Sequence, residues 1–223
     1  MDLATATSTL LMRTQQESAQ PSRPKFTTEN FNAWLQLNTA VHEKVAKWNV
    51  EIMRISNDTK LTQEGKHKTL AGLGEQIAQD VGPPVAAPLR EATAALTRLR
   101  HLMLDPITAK PKGDPMVTIM REQELRRTIP KHEANAVYLR ALERDDLETA
   151  RAILDAPGAP WVSDEVRRRG EDAYAERTNP KAWETVQSLE YLHAHLDSLA
   201  GQTRTWFVAL GASKESIQKT IGG

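Results

Sequence analysis

Cysteine is absent from the sequence. That excludes disulfides, thiolate nucleophiles and the usual ligands of structural zinc, and fits a reducing compartment. Long apolar runs are missing too. No stretch approaches the roughly 18 consecutive apolar residues of a membrane span. The start, MDLATATSTLLMR, has no basic leader before its short apolar stretch, so no secretory signal is expected. Neither sign of charge is in excess, with 29 Lys plus Arg against 29 Asp plus Glu. The whole molecule therefore exerts no pull on nucleic acid or on an anionic membrane. Glycine is sparse, at 11 residues, and β-branched runs are scarce. No phosphate loop, GxSxG elbow or GxGxxG fingerprint occurs; Gly72-Leu73-Gly74 lies inside a helical pattern and follows no strand. No internal repeat recurs at a fixed period, which excludes a solenoid.

What remains is a chain rich in Ala, Leu, Glu, Arg, Lys and Gln, the strong helix formers. The expected fold is all-α: a long-helix bundle with an extended N-terminal arm and a C-terminal module of shorter helices. Apolar residues are only 39% of the chain. This is low for one self-contained core, and suits helices in thin layers or against partner chains.

Residues 1–26 read as the arm. Their second half, RTQQESAQPSRPK, is polar, with Pro21 and Pro24, and offers little apolar surface to offset the entropy of ordering. A first helix is expected over Thr28–Ile55. Phe31, Trp34, Asn38, Val41, Val45, Trp48, Ile52 and Ile55 follow a 3-4-3-4 spacing, a seam that serves a coiled coil and an antiparallel bundle equally. Asn38 is the polar residue that sets register in such a seam. A second helix opens near Thr62 and is expected to stop at Gly82-Pro83-Pro84. A third runs from Pro88 to Leu104, ended by Asp105-Pro106.

Residues 27–104 thus form the long-helix bundle region. Residues 105–115, with three prolines and one glycine, form a hinge, and 116–223 complete the bundle. Asp114-Pro115 caps and starts a fourth helix to about Thr128. Shorter helices follow over 131–144, over 147–155 behind an Asp cap, and from a Ser163 cap to Arg177. A last long helix starts at Asn179-Pro180, and a tail helix follows Ser213.

No catalytic, cofactor or metal site emerges, and an enzyme is not expected. His193 and His195 are two apart on a helix and point about 200° apart, so they cannot share a metal. His42, His67, His101 and His132 are isolated. The carboxylate pairs Asp145-Asp146 and Glu171-Asp172 sit at a helix start and in an evenly charged helix, outside any recognisable pocket. Arg167-Arg168-Arg169 and the basic stretch 110–131, which includes Arg126 and Arg127, are candidate nucleic-acid contacts. Asp164, Glu165, Glu171 and Asp172 flank the triplet at salt-bridge spacing, which favours a self-paired, solvated face. Five tryptophans against three phenylalanines are the other anomaly. Trp161, in a proline turn, and Trp206, beyond the main stripe of the last long helix, are candidate interface residues, with Trp34, Trp48 and Asn38 of the seam.

The stretch LRALERDDLETARAILDAPGAPWVSDEVRRRGEDAYAER, Leu139 to Arg177, resembles helical proteins encoded among the virion genes of tailed bacteriophages. The resemblance implies a structural part of a virus particle: capsid-associated, connector-region or internal, made in the cytoplasm of the bacterial host. Its partners would be further copies of itself or other virion proteins, with no membrane involved. The alternative is a nucleic-acid-associated helical protein using the basic clusters at 110–131 and 167–169.

Overall fold

The 3-4 seam folds as one helix, capped at its start by the Thr27 hydroxyl, which accepts from the Asn30 N–H at 3.3 Å. In the computed structural model, which describes residues 2–19, 26–109 and 114–221, this is the second of nine helices among the described residues. They are α1 Leu3–Ala19, α2 Thr28–Ser56, α3 Gln63–Thr108, α4 Pro115–Thr128, α5 Ala134–Glu143, α6 Leu147–Leu154, α7 Asp164–Thr178, α8 Pro180–Leu210 and α9 Lys214–Ile221, with a 3-10 turn over Lys131–Glu133. No strand occurs among the described residues. The all-α, long-helix architecture is the one expected.

The helices gather into two compact units. The first comprises residues 1–96 and 187–223. Its core joins Trp34, Val41, Val45 and Ile52 of α2 to Ile77, Val81 and Val85 of α3. Leu196, Leu199, Trp206 and Phe207 of α8 and Ile217 and Ile221 of α9 complete it. Each fully buried aliphatic side chain contributes about 1.5–3 kcal/mol relative to exposure. The second unit comprises residues 97–186. Its core is built from Ile107, Tyr138, Leu142, Ala150, Ile153, Val162 and Tyr174.

Three expectations are corrected. Residues 3–19 are helical, not an extended arm; residues 20–25 lie outside the described residues. The inner face of α1 is Ala6, Thr7, Leu10 and Thr14, all buried. The threonine hydroxyls donate back to the Leu3 and Leu10 carbonyls, at 2.8 and 2.9 Å. Hydroxyls satisfied by their own helix can be buried, which a count of polar residues does not register.

Second, Gly82-Pro83-Pro84 does not end a helix; α3 runs through it. A proline inside a helix deprives the carbonyl four residues earlier of its donor, so Pro84 orphans the Asp80 carbonyl. Lys44 of α2 replaces that donor: its ammonium reaches the Asp80 carbonyl at 3.2 Å and also binds the Asp80 carboxylate. The Trp48 indole N–H donates to the other carboxylate oxygen at 2.8 Å. On the opposite side Val81, Gly82, Val85 and Ala86 are buried. Gly82 is required by close approach, since a Cβ there would lie 2.6 Å from Thr220 Cβ of α9.

Third, the two units part at residues 96/97 and 186/187, not at 105–115. Residues 105–108 are the last turn of α3, 110–113 lie outside the described residues, and Asp114 caps α4 by accepting from the Met116 N–H at 2.8 Å.

Candidate protein-contact surfaces

Many of the polar groups that might carry chemistry are taken up by the fold. Among the described residues no three His, Asp or Glu side chains converge as a metal site. His42 pairs with the Thr14 hydroxyl at 2.9 Å, and His193 with that of Thr93 at 3.0 Å. His195 meets the Tyr191 carbonyl at 2.9 Å among the rings of Phe26, Trp34 and Tyr191.

The carboxylate pairs are occupied likewise. Asp146 caps α6, accepting from the Thr149 N–H at 3.1 Å. Asp145 holds a left-handed backbone with φ 59 between α5 and α6. Arg177 closes that corner, donating to both Asp145 carboxylate oxygens, at 2.8 and 3.1 Å, and to the Leu142 carbonyl at 2.8 Å. The Arg177 hydrogen bonds hold the Asp145 carboxyl below its ordinary value. Burial pushes the Tyr138 hydroxyl far above its own, away from acid–base work near neutrality.

The arginine candidates are mostly spoken for. Arg167 pairs with Glu171 at 2.8 Å and Arg168 with Asp172 at 3.9 Å, one turn along α7. Arg169 alone of the triplet makes no pair among the described residues. The shallow concavity beside it is lined by Asp164, Glu165, Asp172 and Glu176 as well as by Arg168 and Arg169, so acids outnumber bases and repel a phosphate. Arg126 donates to the Ala152 and Asp155 carbonyls at 3.3 and 3.0 Å, satisfying the C-terminal end of α6. Arg127 pairs with Glu124 at 3.4 Å and Arg121 with Glu148 at 3.7 Å.

The aromatic candidates turn inward. Trp206 is wholly buried, its indole N–H donating to the Thr7 hydroxyl at 2.9 Å. It has no face to offer a partner; the end of α8 is core. Trp34 is buried as well, and Trp48 is half-buried on Asp80. Asn38 is buried within the chain, where its amide donates to the Thr14 carbonyl of α1 at 2.6 Å. Trp161 is half-buried against the second core.

Two surfaces that sequence reasoning missed are instead exposed, an apolar helix face and an uncharged groove. The first is α4, which buries none of its residues. Met116, Val117, Ile119 and Met120 stand 46–64% exposed along its first turns. The helix is held through its second half, by Arg126 and Arg121, while its uncharged first half, Pro115–Met120, carries those side chains outward. The second is a groove of about 390 Å³ between α1 and α2. The two helices run antiparallel: Thr14 meets Asn38 and His42, while Leu3 to Met12 share the groove with Asn49 to Ser56. None of its lining residues is charged, although charged residues are 26% of the chain. Met12 and Met53 form its lips, each just over half exposed.

One signal for α4 was available. Four apolar residues crowd into 116–120, and Leu125 alone follows them in the helix, so they make no continuous inward stripe. No helix is long and apolar enough to cross a membrane among the described residues. Comparison with known protein families, with characterised proteins and with solved structures finds no match for this chain.

Proposed function

We propose that this chain is a structural and assembly subunit that works through protein–protein contacts and not by catalysis. The observation that carries the reading is α4, a helix with no buried residue whose apolar side chains face outward. Exposed apolar clusters of this kind mark contact sites, and methionine suits them because its flexible thioether adapts to a partner. The occupied carboxylates and histidines support the same reading, as does the self-paired arginine face, which leaves little for a phosphate backbone.

The finer proposal rests on the resemblance of residues 139–177. The subunit belongs to a tailed-bacteriophage virion, in a capsid-associated, connector-region or internal position. It is made in the host cytoplasm and partnered by its own copies or by other virion proteins. The test is to purify particles by density banding from bacteria that produce the chain. Co-banding of the chain with particles supports the proposal, and a chain found only in the soluble fraction overturns it.

A further inference from the structure

We propose that the α4 face of one copy docks into the α1/α2 groove of a second copy. This rests on the assembly reading and names its partner. The groove sets the terms. Its lining, from Leu3, Ala4, Ser8 and Leu11 on one wall to Ile52 and Met53 on the other, holds no charge. A partner that brought a charged side chain there would strand it without a counter-ion. The occupant is uncharged where it enters, and apolar where it meets Leu3, Leu11, Ile52 and Met53. That is helix-in-groove recognition, read through anchors at i, i+3 and i+4.

The chain carries such a segment. Pro115–Met120 has no charged residue, and its first charge is Arg121. Met116, Ile119 and Met120 stand at i, i+3 and i+4 and are all exposed, so they are placed as the anchors. Neither Pro115–Met120 nor the groove lining holds a charged residue, and a net charge of zero leaves no long-range repulsion between copies. The methionines on both sides, Met12 and Met53 on the groove lips and Met116 and Met120 on the helix, let the fit adjust. The two surfaces are different parts of the chain: made one way the contact repeats into a ring or an open row, and made reciprocally it closes a two-fold pair. Four side chains in a shallow groove bury less than about 1,200 Å², the weak and transient class. The contact therefore acts when many copies are held together, as in a particle.

The test uses the full chain and two variants at exposed positions, Ser8→Arg to fill the groove and Met120→Glu to spoil the helix face. Sedimentation velocity follows each up to about 500 µM, the range in which a weak contact is populated. Wild type is expected to associate with rising concentration. Each variant alone is expected to lose at least about tenfold in self-affinity, a loss of about 1.4 kcal/mol. The equimolar mixture is expected to recover a dimer and nothing larger, because it retains one intact groove and one intact helix face. Met53→Arg and Met116→Glu repeat the pair should either first variant fail to fold. A wild type that stays monomeric, variants that associate as wild type does, or a mixture that recovers nothing would each overturn the proposal. A monomer that still co-bands with particles sinks only the self-contact, whereas a monomer missing from particles sinks the assembly reading as well.

Discussion

Replacing Lys44 by methionine removes the donor that stands in for the N–H Pro84 lacks, while keeping the aliphatic stem. Both side chains of the Lys44–Asp80 pair are about one-third exposed, at 34% and 35%. Solvent therefore screens the ion pair, which on its own contributes no more than about 1 kcal/mol. The orphaned Asp80 carbonyl adds about 1–3 kcal/mol when nothing replaces its donor. The expected loss for Lys44→Met is about 2–3 kcal/mol. The decisive quantity is the coupling with Pro84→Ala. In that background the backbone N–H restored at position 84 returns to the Asp80 carbonyl along the helix, and the carbonyl no longer depends on Lys44. Lys44→Met should then cost about 1 kcal/mol less than it does beside proline. Urea unfolding of the four proteins of the cycle, followed by far-ultraviolet circular dichroism, measures this. Equal losses in both backgrounds would refute the claim that Lys44 makes the proline-bearing helix possible.

Other outcomes follow from the same packing. Gly82→Ala places a Cβ within 2.6 Å of Thr220 Cβ and should cost about 1–3 kcal/mol; faster hydrogen exchange confined to α9 would locate the effect there. Trp206→Phe removes the donor to Thr7 and leaves a small cavity where the larger indole packed, and should lower stability by about 2–3 kcal/mol, read as a lower urea midpoint with an unchanged slope. Asp145 ionises more readily in the folded chain than its ordinary value of 3.8 because of Arg177. Its contribution is therefore complete above that value and is lost as pH falls through the lower folded value. The Tm gap between wild type and Asp145→Asn should be constant above about pH 5 and shrink below 3.8; a gap that widens in acid would contradict the sign. Arg167→Ala, Arg168→Ala and Arg169→Ala together should leave retention on a DNA column at low salt unchanged.

The α2 seam was legible because each of its apolar positions met the same inner side. The caps at Asp114 and Ser163 were legible because capping is local chemistry: each accepts from an N–H two or three residues on. Two segments were not. The burial of α1 depends on threonines that satisfy themselves and on an indole N–H from 199 residues away. The continuity of α3 depends on a lysine 36 residues before Asp80. Both are tertiary contacts that override local propensity. Trp206 misled for a related reason: type and position along a helix do not say which elements close over a side chain. The groove lay out of reach in the same way, since an apolar residue is a surface feature only once the neighbours that fail to cover it are known; the α4 face left only the trace of an apolar cluster that no stripe continues.

The most direct test of the central claim is the number of copies of this chain per banded particle, by quantitative mass spectrometry, for wild type and for Met120→Glu supplied in its place. An assembly subunit predicts a fixed whole-number ratio to the major shell protein, and loss of the chain when the α4 face carries a charge. A variable trace amount, or a variant that enters particles as well as wild type does, would contradict it.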